Sequence, residues 1–454
     1  MSLLSTNADR RCPRDIFFPT QTLSLFQAFA PCFTAPSFAY FQSYMWALMV
    51  VEGRKCMTRL ARCTFFHQRD LSSWERFLAE HRWSLSALTA RLVTLVVSKL
   101  GDTLHVHGAY LLGKDTTLVA KTAKRMPGVQ KWKDHSDNAD RGAYLIGHHW
   151  NLVGLISQWE SRWLCWPLVM RLVPGLKGAR QWMVGDTVEP MSFWDAAIAA
   201  ILEVTRCLGE ASIRVVADAY YSKAPFLNGL LARGIHVISR LRKDAVGWDD
   251  PAPRPPGTRG RKPRHGRQWT LASLLSVQTP TRERLTLYGK LTEVVCVSRD
   301  VWLRDVAQKV RVVVLEGAKE PFILVSTDLT LSALQIIEIY GARFSIELTI
   351  RDLKQHFGLG DYQCTTTLAI LRFVHLACLG FCLWRLALLE HLEAGWLQVT
   401  SARVSLPEAP LSFQRVRRAL RVWATRQIIF ANATPGADME KIERDHEPLL
   451  QMLM

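Results

Sequence analysis

The spacing of apolar positions changes its period twice along the chain. From residue 1 to about 104 it is mainly helical, with aromatic and apolar side chains dominating 23–51. Ser72-Ser73-Trp74-Glu75 offers a serine cap and an acidic first turn, and 84–100 predicts another helix with Arg91 and Lys99 facing outward. After Gly101 the pattern alternates or runs β-branched. This predicts strands at 105–112 and 116–120, with Asp115 interrupting them, and further strands at 144–156 and 163–172. Residues 191–208 predict a helix. A short β-branched strand, 213–217, then ends at Asp218, with Ser222 placed to cap a helix over 223–232 and a strand at 235–241. Short strand-like runs at 285–287, 293–298, 310–315 and 322–326 predict a β-rich insertion. Helical periodicity returns over 334–356, which has no proline and one glycine, Gly341, and again over 368–393.

Composition adds a partner to this outline. With 454 residues, 49% hydrophobic and 21% charged, the chain is globular and long enough for two or three domains. A net charge of +17 points to a polyanion, most simply nucleic acid, with an anionic membrane surface as the competing partner. The apolar runs 38–51 and 374–389 fall short of a spanning helix, and the second contains His375 and Arg385, so no membrane role is expected. No export signal is evident, which makes the expected location cytoplasmic. Ten cysteines without a CxxC pair fit reduced thiols, and Cys378 and Cys382 sit at helical spacing in an apolar run. Internal repeats, a P-loop, a dinucleotide fingerprint and a helix-turn-helix are not found.

Candidate chemistry collects in three places. On the 334–356 helix, at roughly 100° per residue, Tyr340, Arg343, Glu347, Arg351 and Lys354 share one stripe, opposite Phe344, Ile346, Leu348, Ile350 and Leu353. An exposed face laced with Arg343–Glu347 and Glu347–Arg351 pairs would produce the same pattern. Asp218 lies at a strand end, where functional side chains of α/β sheets gather, although an aspartate there also satisfies turn amides. Asp115 precedes a cation-rich loop without acids that includes Lys121, Lys124, Arg125, Lys131 and Lys133. Two more basic stretches follow, one from Arg254 to Arg267 and one formed by Arg415, Arg417, Arg418, Arg421 and Arg426 around Trp423. Three carboxylates amid cations suit phosphodiester chemistry, because hard oxygen ligands favour magnesium or manganese and leave positions open for phosphates. The adjacent His148 and His149 point to opposite faces of a strand, which argues against a shared metal.

Tyr340-x2-Arg343-x3-Glu347-x6-Lys354 resembles the YREK signature of DDE transposases of bacterial insertion sequences, cut-and-paste enzymes with a ribonuclease-H-like core. Lys114-Asp115-Thr116-Thr117 is similar to the family's first-aspartate strand, and Val215-Val-Ala-Asp218-Ala-Tyr220-Tyr221 to its second. The long gap before Glu347 fits the family's β-rich insertion. The resemblance covers roughly residues 105 to 360, with Asp102 as a rival first aspartate. It implies an α/β fold: a helical DNA-binding region (1–104), the first part of the core (105–241), the insertion (242–330), a final core helix (331–360) and a helical C-terminal region (361–454). It implies Asp115, Asp218 and Glu347 as catalytic and metal-binding residues for Mg2+, with Mn2+ able to substitute. Arg343, Lys354 and Tyr340 would lie at the DNA, joined by Arg351, Lys121, Lys124 and Arg125. The partners implied are transposon-end and target DNA, with a homodimer in the synaptic complex. Some relatives stack a flipped base on an insertion-domain tryptophan, for which Trp248, Trp269 and Trp302 are eligible.

Overall fold

A computed structural model describes residues 22, 24–63, 70–123, 126–133, 144–159, 162–173, 182–184, 187–189, 192–253, 264–287, 290–393, 417, 438, 441, 442 and 445. Lys124, Arg125, residues 254–263 of the second basic stretch, and Arg415, Arg418, Arg421, Trp423 and Arg426 lie outside the described residues. The chain divides into two compact units, one comprising 1–96, 119–129 and 351–454, the other 97–118 and 130–350.

The first unit is helical, as the apolar spacing predicts. Its helices include Ala35–Val50, Met57–Arg62, Leu71–Ala79 and Thr367–Glu393. Asp70, not Ser72, caps the Leu71–Ala79 helix, accepting from the Ser73 amide at 2.8 Å. A carboxylate at this position satisfies the orphan Ser73 amide and adds charge against the helix N-terminus. Rings of Phe33, Phe38, Phe41, Phe77 and Trp83 interlock in the core. Arg372 reaches through it to the carbonyls of Leu78 and Trp83. The last helix follows the predicted 368–393 periodicity to within one residue. Thr367–Leu389 is long and apolar enough to cross a membrane, but it is mostly buried inside the fold, as a core helix is. Arg417 is likewise buried, donating to the carbonyls of Met49 and His356.

The second unit is built on a large mixed sheet flanked by helices, compatible with a ribonuclease-H-like core. Its strands are β1 (His105–Val106), β2 (Ala109–Ala120), β3 (Gln130–Lys133), β4 (Tyr144–Trp159), β5 (Arg162–Leu172), β6 (Trp182–Val184), β7 (Thr187–Glu189), β8 (Ile213–Ala217), β9 (His236–Leu241), β10 (Val246–Trp248), β11 (Gln268–Thr270), β12 (Thr281–Leu287), β13 (Lys290–Val301), β14 (Val310–Leu315) and β15 (Phe322–Ser326). The main order is β12-β13-β14-β15-β9-β8-β2-β4-β3, with β1 on β2 and β5 on β4. β2–β8 and β8–β9 are parallel, while β15–β9 and the β12–β14 pairs are antiparallel. β8 is buried on both faces, which is why 213–217 does not alternate, and its one charge, Arg214, is buried against Asp328 at 2.8 Å. β2 runs unbroken through Asp115, although its pairing with β8 ends one residue earlier, at Lys114 opposite Ala217; tertiary context overrides one residue's propensity. In the helix after β8 the expected serine cap is absent. Ser222 donates its hydroxyl to the Ala219 carbonyl, and Ala224–Leu231 starts at Lys223 with proline in its first turn.

The single helix predicted over 334–356 is two, Ala333–Ala342 and Phe344–His356, jointed at Arg343. A Ser332–Gln335 capping box starts the first. The second is drawn against the sheet at Gly113, where an added Cβ would lie 2.5 Å from Ile346 Cδ1. Thr349 also donates to the Cys165 carbonyl at 3.1 Å. Ile346, Ile350 and Leu353 are buried as the helical stripe requires, but Phe344 is exposed.

Candidate active site

Register brings the first two acids together. Lys114 on β2 pairs with Ala217 on β8, so Asp115 and Asp218 follow at the same level of adjacent parallel strands. Asp115 accepts the Thr116 amide at 2.7 Å and meets Arg343 Nη1 at 3.5 Å. Asp218 closes a 3-10 turn over Ala219–Tyr221, accepting the Tyr220 amide at 3.1 Å, and its own carbonyl accepts from Ser239 Oγ at 2.7 Å. The ordinary role of an aspartate at a turn is therefore met as well, without removing its carboxylate from its neighbour's field.

Electrostatics shows the strain of that proximity. Burial, then the like charge of Asp218, pushes Asp115 up to about 6, although the Thr116 amide, Arg343 and Lys114 all favour its ionised form. Asp218 is also raised, chiefly by burial. Beneath them Lys114 is wholly buried, donating to the Tyr221 hydroxyl at 2.7 Å and the Asp115 carbonyl at 3.1 Å, and burial lowers it to about 7. His149 is held down at about 4 by burial and by Lys114, so it is neutral at pH 7. His148 is fully buried beside Trp150.

Glu347 is tied to the pair through one guanidinium. Arg343 donates from Nη2 to Glu347 at 2.5 Å and from Nη1 toward Asp115, sitting between the two acids. Glu347 itself is exposed. Among the described residues no three His, Cys, Asp or Glu side chains gather closely enough to hold an ion together. The structure thus joins Asp115 with Asp218 and connects Glu347 by way of Arg343. Tyr340 lies in the same neighbourhood, its ring 5.5 Å from the Arg343 guanidinium and edge-on to Phe322.

Other expected residues have other settings. Arg351 donates to Asp352, not to Glu347 as i,i+4 spacing suggested, because the adjacent carboxylate is closer to hand. Lys354 is exposed on the Phe344–His356 helix. Lys121 donates to the carbonyls of Gly360 and Tyr362 and lies 3.3 Å from the Tyr362 ring centroid. Asp102 is exposed in a 3-10 turn before β1, outside the strand that carries Asp115. Trp269 is buried between Arg267 and Arg299 with its indole N–H on Asp249. Trp248 and Trp302 exchange backbone bonds, and Trp302 donates to Asp250.

Lys114, Tyr221 and Gly113 escaped the sequence analysis as parts of the site. The available signal was a lysine inside an otherwise apolar strand, immediately before an acid.

The donor chemistry fits a divalent cation. Two half-buried carboxylates, both raised by burial and Asp115 also by the charge of Asp218, are hard oxygen ligands whose ionised forms a cation would favour, and Glu347 is a third within one side chain's reach of Arg343. No curated protein matches the chain. The sequence profile of the DDE superfamily endonucleases matches residues 28–296, more than half of the length, spanning Asp115 and Asp218 and ending before Glu347. The chain belongs to the DDE superfamily endonuclease family.

Proposed function

We propose that this chain is a DNA transposase that binds insertion-sequence ends, cuts them with magnesium or manganese, and transfers the freed 3′-hydroxyl to target DNA. The observation that carries this reading is the juxtaposition of Asp115 and Asp218 on adjacent parallel strands, with Arg343 linking them to Glu347. Bound divalent ions supply an activated attacking oxygen and a stabilised leaving oxygen.

The chain's own residues prepare that chemistry. Asp115 and Asp218 present oxygens from a rigid sheet, their backbones fixed by the β2–β8 ladder and by Ser239. Lys114 gives the pair a buried counter-charge, and its bond to Tyr221 ties β2 to the turn that holds Asp218. Glu347 would complete the ligand set, and Arg343, released from it, would take a phosphate, for which its forked donors are suited. Tyr340 beside Arg343, with Arg351 and Lys354 on the same helix as Glu347, extends the phosphate-facing set. Two ends held by two copies would form the synaptic complex.

Supercoiled plasmid carrying the chain's flanking genomic DNA at paired ends provides the test. Wild-type protein with Mg2+ should excise and insert, whereas Asp218→Asn and Glu347→Gln should each lose cutting by at least about a hundredfold while retaining end binding. Full activity in either variant removes that residue from the ligand set. Nicks without joined products would make the protein a hydrolytic nuclease, and binding without nicks an inactive DNA-binding relative.

A further inference from the structure

Beside the acid pair stands an aromatic stack that the proposed chemistry does not use. Tyr220 is 56% exposed, which is high for a ring so close to a buried centre. Its backbone N–H is the one bonded to the Asp218 carboxylate, so the ring projects from the turn that holds the acid. Trp194 stacks on it at 5.4 Å with 26° between the planes. Phe193 and Tyr221 meet it edge-on, at 5.2 Å and 5.8 Å. Phe193 and Trp194 are the first residues of the Phe193–Leu208 helix, whose start is fixed by the Ser192 cap. The ring is thus held in orientation by three aromatic neighbours while much of its surface faces solvent.

We propose that the Tyr220–Trp194 stack is a platform for an unpaired nucleobase of the strand being cut. A base adjoining a phosphate handled at Asp218 lies within reach of the residue two positions later. Inside a duplex its faces are covered by its neighbours, so only an unpaired or extruded base can offer one to Tyr220. A ring already immobilised by Trp194, Phe193 and Tyr221 loses little freedom on binding, which favours stacking. The three insertion tryptophans are engaged differently, with Trp269 buried and Trp248 bridged to Trp302. Stacking tolerates any base, so the platform adds affinity for melted ends without reading their sequence.

This inference rests on the DNA-cleaving reading of the site, but its test measures binding alone. Full-length protein in EDTA is titrated by fluorescence anisotropy with two DNAs of one sequence, a blunt duplex and a fork whose splayed arm carries 2-aminopurine. Tyr220→Ala should weaken fork binding roughly five- to a hundredfold and leave duplex binding unchanged, while Tyr220→Phe and Tyr220→Trp stay close to wild type. The 2-aminopurine emission should be quenched by wild type and by both aromatic variants, and recover with Tyr220→Ala. Persistence of fork preference in Tyr220→Ala, equal loss on both DNAs, or failure of Tyr220→Phe to restore binding each overturns the platform. Absence of metal-dependent cutting by wild type would instead overturn the nuclease reading, and fork-specific quenching would survive that result.

Discussion

Replacing Asp115 by asparagine should make the metal-free protein more stable at neutral pH while destroying its activity. In the fold this carboxyl is held at about 6, against an ordinary value of 3.8. A raised carboxyl pKa adds stability that is fully present below the unfolded value and is lost as pH rises through the folded one. Above pH 6 the ionised Asp115 therefore costs the fold free energy. The ceiling is the two-unit difference at 1.36 kcal/mol per unit, on the order of 3 kcal/mol. Asparagine keeps the oxygen that accepts the Thr116 amide and removes the charge facing Asp218. It also gives up the 3.5 Å contact with Arg343, but that attraction is already included in the net shift.

The expected gain is about 1–3 kcal/mol at pH 7.5, falling to about half at pH 5, where the folded wild-type carboxyl is mostly protonated. Urea unfolding in EDTA at the two pH values measures it. Adding Mg2+ or Mn2+ should raise the wild-type midpoint and leave Asp115→Asn unmoved, because the variant lacks the charge that binds the ion. A variant no more stable than wild type at pH 7.5, or a gain that grows toward acid, refutes the account of this carboxyl as an uncompensated metal ligand.

Two further predictions concern the scaffold. Gly113→Ala forces a methyl against Ile346 and should destabilise the fold by about 1–3 kcal/mol; adding Ile346→Val, which removes the clashing Cδ1, should recover part of that loss in a double-mutant cycle, whereas Ile346→Val alone destabilises. Lys55 is buried, its ammonium has no hydrogen-bond partner among the described residues, and burial followed by Arg417 lowers it to about 7. Lys55→Met should therefore stabilise by a few kcal/mol, on the order of the shift, at pH 6–7; the difference should shrink as pH rises toward 10.5, since wild type gains stability across that window, and unfolding curves that run parallel with pH would refute it.

The sequence made the elements legible wherever period and burial agree. The strand 213–217, the helix start near 193 and the buried positions 346, 350 and 353 follow from spacing alone. It misled where a long-range partner overrode a local preference. Asp115 reads as a strand breaker, yet β2, lying between β8 and β4 in the sheet, continues through it to Ala120. The joint at Arg343 is invisible to a period count, because Arg343 keeps right-handed helical dihedrals and the periodic spacing runs on through it. Asp70 capped where Ser72 was expected, since two eligible residues stood within one turn and only geometry separates them.

The site was legible as chemistry but not as charge balance. Helical spacing named Arg343 and Glu347 as neighbours, and they are, but no one-dimensional pattern places the same guanidinium against Asp115, more than two hundred residues earlier. With Lys114 below and Arg343 above, the three acids are partly neutralised by the chain's own cations. A dication arriving at Asp115 and Asp218 would compete directly with Arg343 for their field. If Arg343 were displaced, Glu347 would be free to join a bound metal and the guanidinium to take a phosphate. Arg343→Ala should then tighten Mn2+ binding, seen as a larger metal-induced rise in the unfolding midpoint, while weakening DNA binding. Unchanged or weaker metal binding in Arg343→Ala would show that the arginine supports the acid pair instead of holding its place.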